Sequence, residues 1–375
     1  MRVVKNSIIA TAICLVLILQ TGCWSQNPYE RIGFILQMGL ELDKDDKLLI
    51  SMTSPVVAPE VKDKVEFLHT SSESLIRASR EKLSNIAGKR LQGGKIQQLY
   101  FSKSLAKKGI NQFLEIFLRE PENPLLANVV IVDDSPEQMM KFSIDYKDKP
   151  RSAFYVNELL ADARRRCKAP ETRIYDFSVQ NYSKTIDPVA PLLRYNKENI
   201  EVAGSALFSG DKLVGEIDPD QTMLLIALLG KKFLGEYVFR GKTLYGASEE
   251  HKIGATMLLE HSKRKIEIDT RNNTPAISIK LELKSILEEY AGTESLSETE
   301  YEKKLEEDIS NSIKTDILKL LEYLKAIGSD PIGFGEIVRS KHNIFWKSVK
   351  WKEVYKNAIF NVDVKMTFES YGTIK

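Results

Sequence analysis

The sequence predicts an α+β fold in mixed domains, each a β-sheet packed with α-helices. In some stretches apolar residues recur at every second position and in others at three- or four-residue intervals, so strands and helices are interspersed. Most predicted strands alternate apolar with polar residues, as expected of sheets covered on one face by helices. The composition, 43% hydrophobic and 28% charged over 375 residues, is that of a folded globular chain, long enough for two or three domains at roughly 100 to 200 residues each. With 54 basic against 52 acidic residues there is no uniform field to attract nucleic acid.

The first element is an address. Arg2 and Lys5 precede an apolar run from Ile8 to Leu19, followed by Gln20-Thr21-Gly22-Cys23. A basic segment, twelve apolar residues and small residues describe a secretory signal over residues 1–22, and the run is too short to span a hydrocarbon core of about 30 Å. Thr21-Gly22 directly before Cys23 resembles a bacterial lipobox, although Gln20 stands where that pattern usually has Leu, Val or Ile. The resemblance makes Cys23 an acylated mature N-terminus. Cleavage removes two of the 54 basic residues and none of the acidic ones, leaving a formally neutral chain that needs two or three acyl chains to stay on a bilayer.

Behind the signal, residues 24–195 read as an N-terminal α+β domain. Ile32 to Leu42 and Leu48 to Met52 form a strand pair around the charged turn Lys44-Asp45-Asp46-Lys47. Thr70 to Gly88 changes to helical spacing through Leu75, Ala78, Leu83 and Ile86. Leu99 to Ser102 is a strand and Ser104 to Leu118 a second helix; Leu125 to Val132 is almost continuously apolar, which points to burial on both faces. Pro170 to Pro191 has little periodicity and reads as a linker or irregular excursion.

A boundary near Asn196 opens a middle domain, 196–270. Ile200 to Phe208 and Leu213 to Ile217 make a hairpin around Ser209 to Lys212, and Asp218-Pro219-Asp220 introduces a helix from Gln221 to Leu229. Residues 271–375 form a C-terminal α+β domain with a long helix. Ile277, Ile279, Leu281 and Leu283 share one face of a strand. Ser297 with Glu300 offers a capping box for a helix of about 30 residues and 45 Å, whose stripe runs Leu305, Ile309, Ile313, Ile317, Leu321 and Leu324 to Gly328. A final strand carries Phe360, Val362, Val364, Met366 and Phe368 on one side.

Catalytic patterns fail on inspection. Gly88 to Ile96 invites a phosphate-loop reading, but Gly94 intrudes before Lys95 and Ile96 has no hydroxyl for magnesium. His69, His251, His261 and His342 are scattered without metal-ligand spacing. Cys167 lies among Arg164, Arg165, Arg166 and Lys168 with no His or Asn near it in sequence to complete a nucleophilic set. The sequence leads to no enzyme activity, no metal and no cofactor.

The motifs resemble those of the C-subunit lipoproteins of bacterial spore germinant receptors, the GerC family. They are Gly22-Cys23-Trp24; Gly109 with Phe113, Leu118, Arg119 and Pro121; Val202 to Phe208 followed by Asp211-Lys212-Leu213-Val214-Gly215; Asp330-Pro331-Ile332-Gly333-Phe334-Gly335; and Trp346-Lys347 with Trp351. The usual Asp-Arg-like pair after Cys-Trp is replaced by Ser25-Gln26. The resemblance implies three α+β domains and a lipid-anchored, noncatalytic receptor subunit. It implies work with two integral-membrane subunits on the outer face of the spore inner membrane, triggering germination. Asp330, Gly333, Phe334, Gly335, Trp346 and Trp351 are candidates either for partner contact or for a structural turn and core pair. The alternative is an extracytoplasmic solute-binding lipoprotein of a transporter, which needs a concave site with convergent polar groups. A lipid-anchored cell-wall hydrolase would need paired carboxylates or a metal in a cleft.

Overall fold

The computed structural model describes residues 5–7, 11, 31–56, 66–73, 75–146, 151–230, 234–240, 254–272, 274–291, 296 and 299–371. The signal segment, the lipobox, Cys23, Ser297 and His251 lie outside these residues. Strands β1 (Ile32–Phe34), β2 (Gln37–Leu42), β3 (Leu48–Pro55) and β4 (Glu66–Ser71) precede helix α1 (Ile76–Ala87). Then come β5 (Arg90–Gln92), β6 (Gln98–Ser102), α2 (Lys103–Lys108), α3 (Asn111–Arg119), β7 (Asn128–Val132), α4 (Pro136–Ile144), α5 (Ser152–Arg165) and α6 (Ile174–Ser183). The sheet continues with β8 (Val189–Tyr195), β9 (Ile200–Ser209) and β10 (Lys212–Ile217), after which α7 (Pro219–Leu229) leads away.

These strands form one eight-stranded mixed sheet in the order β10-β9-β8-β7-β6-β2-β3-β4, with β1 and β5 paired in parallel beside it. Both faces are covered. Val129 and Ile131 of β7 enter a core with Leu105, Phe113, Leu114, Ile174 and Phe177 of α2, α3 and α6. The alternate residues Val130 and Val132 meet Met139, Met140, Val156 and Leu160 of α4 and α5. A strand between two parallel neighbours is apolar throughout for this reason.

Three local expectations change. Thr70 and Ser71, expected to begin a helix, end β4, which pairs with β3; the cross-strand ladder outweighs their local capping tendency. The single helix expected from Ser104 to Leu118 is two, divided at Gly109 with φ of 113°. A Cβ there would stand 2.6 Å from Asp211 Oδ2, the oxygen that accepts the Asn111 N–H at 3.1 Å. Asp211, in the β9–β10 turn, thus orders the start of α3 from 100 residues away. The stretch from Pro170 to Pro191 contains α6 and the first half of β8. Pro191 sits just ahead of Leu192 and Leu193, the residues of β8 that pair with β7, so its missing N–H breaks no bond there.

The second sheet contains β11 (Gly235–Arg240), β12 (Gly254–Asp269), β13 (Ala276–Ala291) and β14 (Ile359–Ser370), paired in that order. β13 and β14 run parallel, and the long helix α8 (Thr299–Ile327) lies in the connection between them. The six apolar stripe residues of α8 are all buried, in one core with Ile277, Ile279, Leu281 and Leu283 of β13 and Phe360, Val362, Val364 and Met366 of β14. Residues 196–270 supply strands to both sheets, β9 and β10 to the first, β11 and β12 to the second. α9 (Phe334–Lys341), α10 (Asn343–Ser348) and α11 (Trp351–Tyr355) close the path from α8 to β14.

Candidate functional site

The residues after α8 form the junction between the two sheets. Asp330 is buried at 3% exposure, and its carboxylate accepts four N–H bonds. Oδ1 takes the backbone N–H of Gly333 and Phe334 at 2.9 and 3.0 Å; Oδ2 takes that of Gly335 at 2.8 Å and the Trp351 indole Nε1–H at 3.0 Å. One side chain therefore sets the turn, supplies an acceptor to the first N–H groups of α9 and fixes the start of α11. Complete loss of water and the neighbouring Asp187 push its carboxyl up against the pull of these donors, to about 6.

Asp187, just before β8, completes the link. Its Oδ2 accepts the Asp330 N–H at 2.9 Å, and its own N–H donates to the Asp330 carbonyl at 3.0 Å. Its Oδ1 accepts the Gly210 N–H at 2.7 Å and the Lys352 ammonium at 3.0 Å, and Lys352 also donates to Ser209 Oγ at 2.7 Å. Ser329 Oγ donates to the Phe208 carbonyl at 2.7 Å. The end of α8 and the start of α11 are thereby bolted to the β9–β10 edge of the first sheet.

The other predicted residues take distinct places around this bolt. Gly333 has φ of 78°, and a Cβ on Gly335 would stand 2.8 Å from both the Thr185 carbonyl oxygen and Trp351 Nε1, so a side chain would separate the turn from its partners. Phe334 is fully buried, with ring centroids 6.3 Å from Tyr355 and 5.9 Å from Phe360. Trp351 is buried and lies 5.6 Å from Tyr355, whereas Trp346 is half-buried at 6.3 Å from Trp351. Beside Trp346 the side chain of Ile344 is 90% exposed.

Chemically, the site holds two shielded carboxylates whose acceptor positions are filled from within the chain. Among the described residues no group of three or more His, Cys, Asp or Glu could hold a metal. Burial pushes the Cys167 thiol up, opposite to the shift that activates a nucleophile. Asp187, Lys352 and Ser329 were not singled out by sequence reasoning. One signal was available: each Asp-Pro pair, Asp187-Pro188, Asp218-Pro219 and Asp330-Pro331, places its carboxylate on backbone N–H groups.

The sequence pattern described as "Spore germination protein N-terminal domain" matches residues 25–195, and that described as "Spore germination B3/ GerAC like, C-terminal" matches residues 203–372. The chain belongs to the GerAC-like family of spore germination proteins. This is the germinant receptor C-subunit family that the motifs resemble. Among curated proteins, the chain is similar to "Spore germination protein GerQC" of Bacillus cereus, with 26% identity over 300 residues and 80% of each chain covered. The "Putative spore germination protein YfkR" of Bacillus subtilis (strain 168) is 21% identical over 382 residues, covering 96% of this chain and 95% of the relative. The crystal structure of the GerBC protein superposes with a TM-score of 0.59 at 18% identity, over 88% of this chain and 96% of that one, and so shares the α+β fold. The seam between the two family patterns falls at the β8–β9 hairpin, inside the eight-stranded sheet.

Proposed function

We propose that the chain is a lipid-anchored, noncatalytic subunit of a nutrient germinant receptor. In this reading Cys23 carries the acyl chains, the folded part stands on the outer face of the spore inner membrane, and two integral-membrane subunits are its partners. The observation that carries the reading is the match of GerAC-like patterns to both halves of the chain. The basic, apolar and small segments ending at Cys23 support the anchor. No helix among the described residues is long and apolar enough to cross a membrane, so the reading assigns attachment to the lipid.

Spores carrying Cys23→Ala test it. The protein should leave the membrane fraction or persist as an uncleaved precursor, and nutrient-triggered germination should fall. Intact-mass analysis of the membrane-extracted wild-type chain should show acyl mass on an N-terminal Cys23. An unmodified Cys23, or an N-terminus at another residue, overturns the anchor; normal germination of spores lacking the chain overturns the receptor role.

A further inference from the structure

A cavity of about 450 Å³ opens beside the junction, between α5, α6, α7, β12 and the Pro331-Ile332 segment. Arg164 and Arg264 both line it. Each guanidinium is half-buried, and loss of water depresses the pKa of both, so the site holds positive charge at a cost. Arg164 donates through Nη1 to Asn128 Oδ1 at 2.9 Å, and Arg264 through Nη1 to the Leu228 carbonyl at the end of α7. A guanidinium carries five N–H donors, and among the described residues neither arginine makes a direct ion pair, although the Glu171 carboxylate lies near enough to favour the charge on Arg164. The acid lining the cavity, Glu171, is engaged by Arg173 at 2.6 Å.

One further feature defines what would fit. Ile226, Leu229 and Ile332 give the cavity apolar wall. Guanidinium donors in one cavity match a carboxylate, and the apolar wall matches a hydrocarbon body. We propose that this cavity binds a small organic carboxylate with an apolar body. The site is separate from the lipid anchor, and its test stands whether or not the chain is a receptor subunit.

The probes are 4-hydroxybenzoate, its neutral counterpart 4-hydroxybenzamide, and inorganic phosphate, titrated by calorimetry into the purified full-length chain. The expected result is 4-hydroxybenzoate binding with Kd below about 1 mM, and at least tenfold weaker binding of the amide and of phosphate. Arg164→Gln and Arg264→Gln should each lose tenfold or more, measured on variants that still unfold cooperatively. Because Arg264 also holds the end of α7, Leu229→Trp is the second variant; it fills the cavity without changing charge and should abolish binding. No 4-hydroxybenzoate binding below about 1 mM overturns the proposal. So does equal binding of the amide or of phosphate, or undiminished binding by Leu229→Trp.

Discussion

Replacing Phe334 by Ala separates a structural junction from a partner contact. The ring is wholly shielded in the free chain, with Tyr355 and Phe360 as aromatic neighbours at 6.3 and 5.9 Å. Truncating a buried Phe removes its transfer free energy and leaves a cavity, about 3 to 5 kcal/mol together. Relaxation should be small, because the turn beneath is held by the four N–H bonds to Asp330. At about 2 °C per kcal/mol for a large chain, the melting temperature should fall by roughly 6 to 10 °C. The assay is thermal unfolding of the purified variant followed by near-UV circular dichroism, with germination of spores carrying the same change measured beside it. A melting temperature within about 2 °C of wild type would refute the argument from burial. Normal stability with poor germination would move Phe334 to the partner-contact role, and normality in both would remove the motif from the functional account.

Ile317→Asp, at the centre of the buried stripe of α8, should unfold the C-terminal sheet and its helix. An unpaired buried charge costs several kcal/mol against a total of about 5 to 15, and soluble expression with a wild-type melt would contradict it. Tyr355→Phe should raise the urea midpoint by the equivalent of about 1 kcal/mol, since the Tyr355 hydroxyl is buried without a hydrogen-bond partner among the described residues; a lower midpoint would show that the hydroxyl is satisfied. The Asp330 carboxyl, raised from 3.8 to about 6 in the fold, contributes stability that is complete below pH 3.8 and lost as pH rises through about 6. Wild-type stability should therefore fall by about 2 kcal/mol more than that of Asp330→Asn between pH 4 and pH 7, and parallel falls in urea titrations would sink the assignment. A fragment ending at Tyr195 should aggregate, because it leaves the β8 edge without β9; a monomeric, cooperatively melting fragment would show that the first family pattern is an independent domain.

The sequence was most legible where one element decides its own pattern. The stripe of α8 and the alternation of β13 and β14 could be read because each repeats a local period against one buried face. β7 was legible for the complementary reason, its unbroken apolar run having helices on both sides. β12 left no such trace beyond its first half: from Glu260 to Glu267 its burial only alternates between exposed and partial, so polar residues occupy both faces. The break at Gly109 depends on Asp211, which no local window contains.

The junction shows why its residues could be picked out while their role could not. Glycines and a proline around Asp330 announce a turn, but a turn can end a helix, face a partner or hold two layers together, and local chemistry is the same in each case. What distinguishes them is the identity of the acceptors and donors brought in from elsewhere: Asp187, 143 residues from Asp330, and the Phe208 carbonyl, 121 residues from Ser329. Lys352 then reaches Asp187 across 165 residues of chain. These bonds come from both regions matched by the family patterns, so the motif ties the C-terminal helix to a sheet whose strands lie on either side of the seam. A change that loosens Asp330 should consequently be felt at the β9–β10 edge as well as in α9 and α11. Hydrogen exchange of the Gly210 amide, which donates to Asp187, reports that coupling directly: it should accelerate in Asp330→Asn along with the Gly335 amide, whereas acceleration at Gly335 alone would confine the role of Asp330 to its own turn.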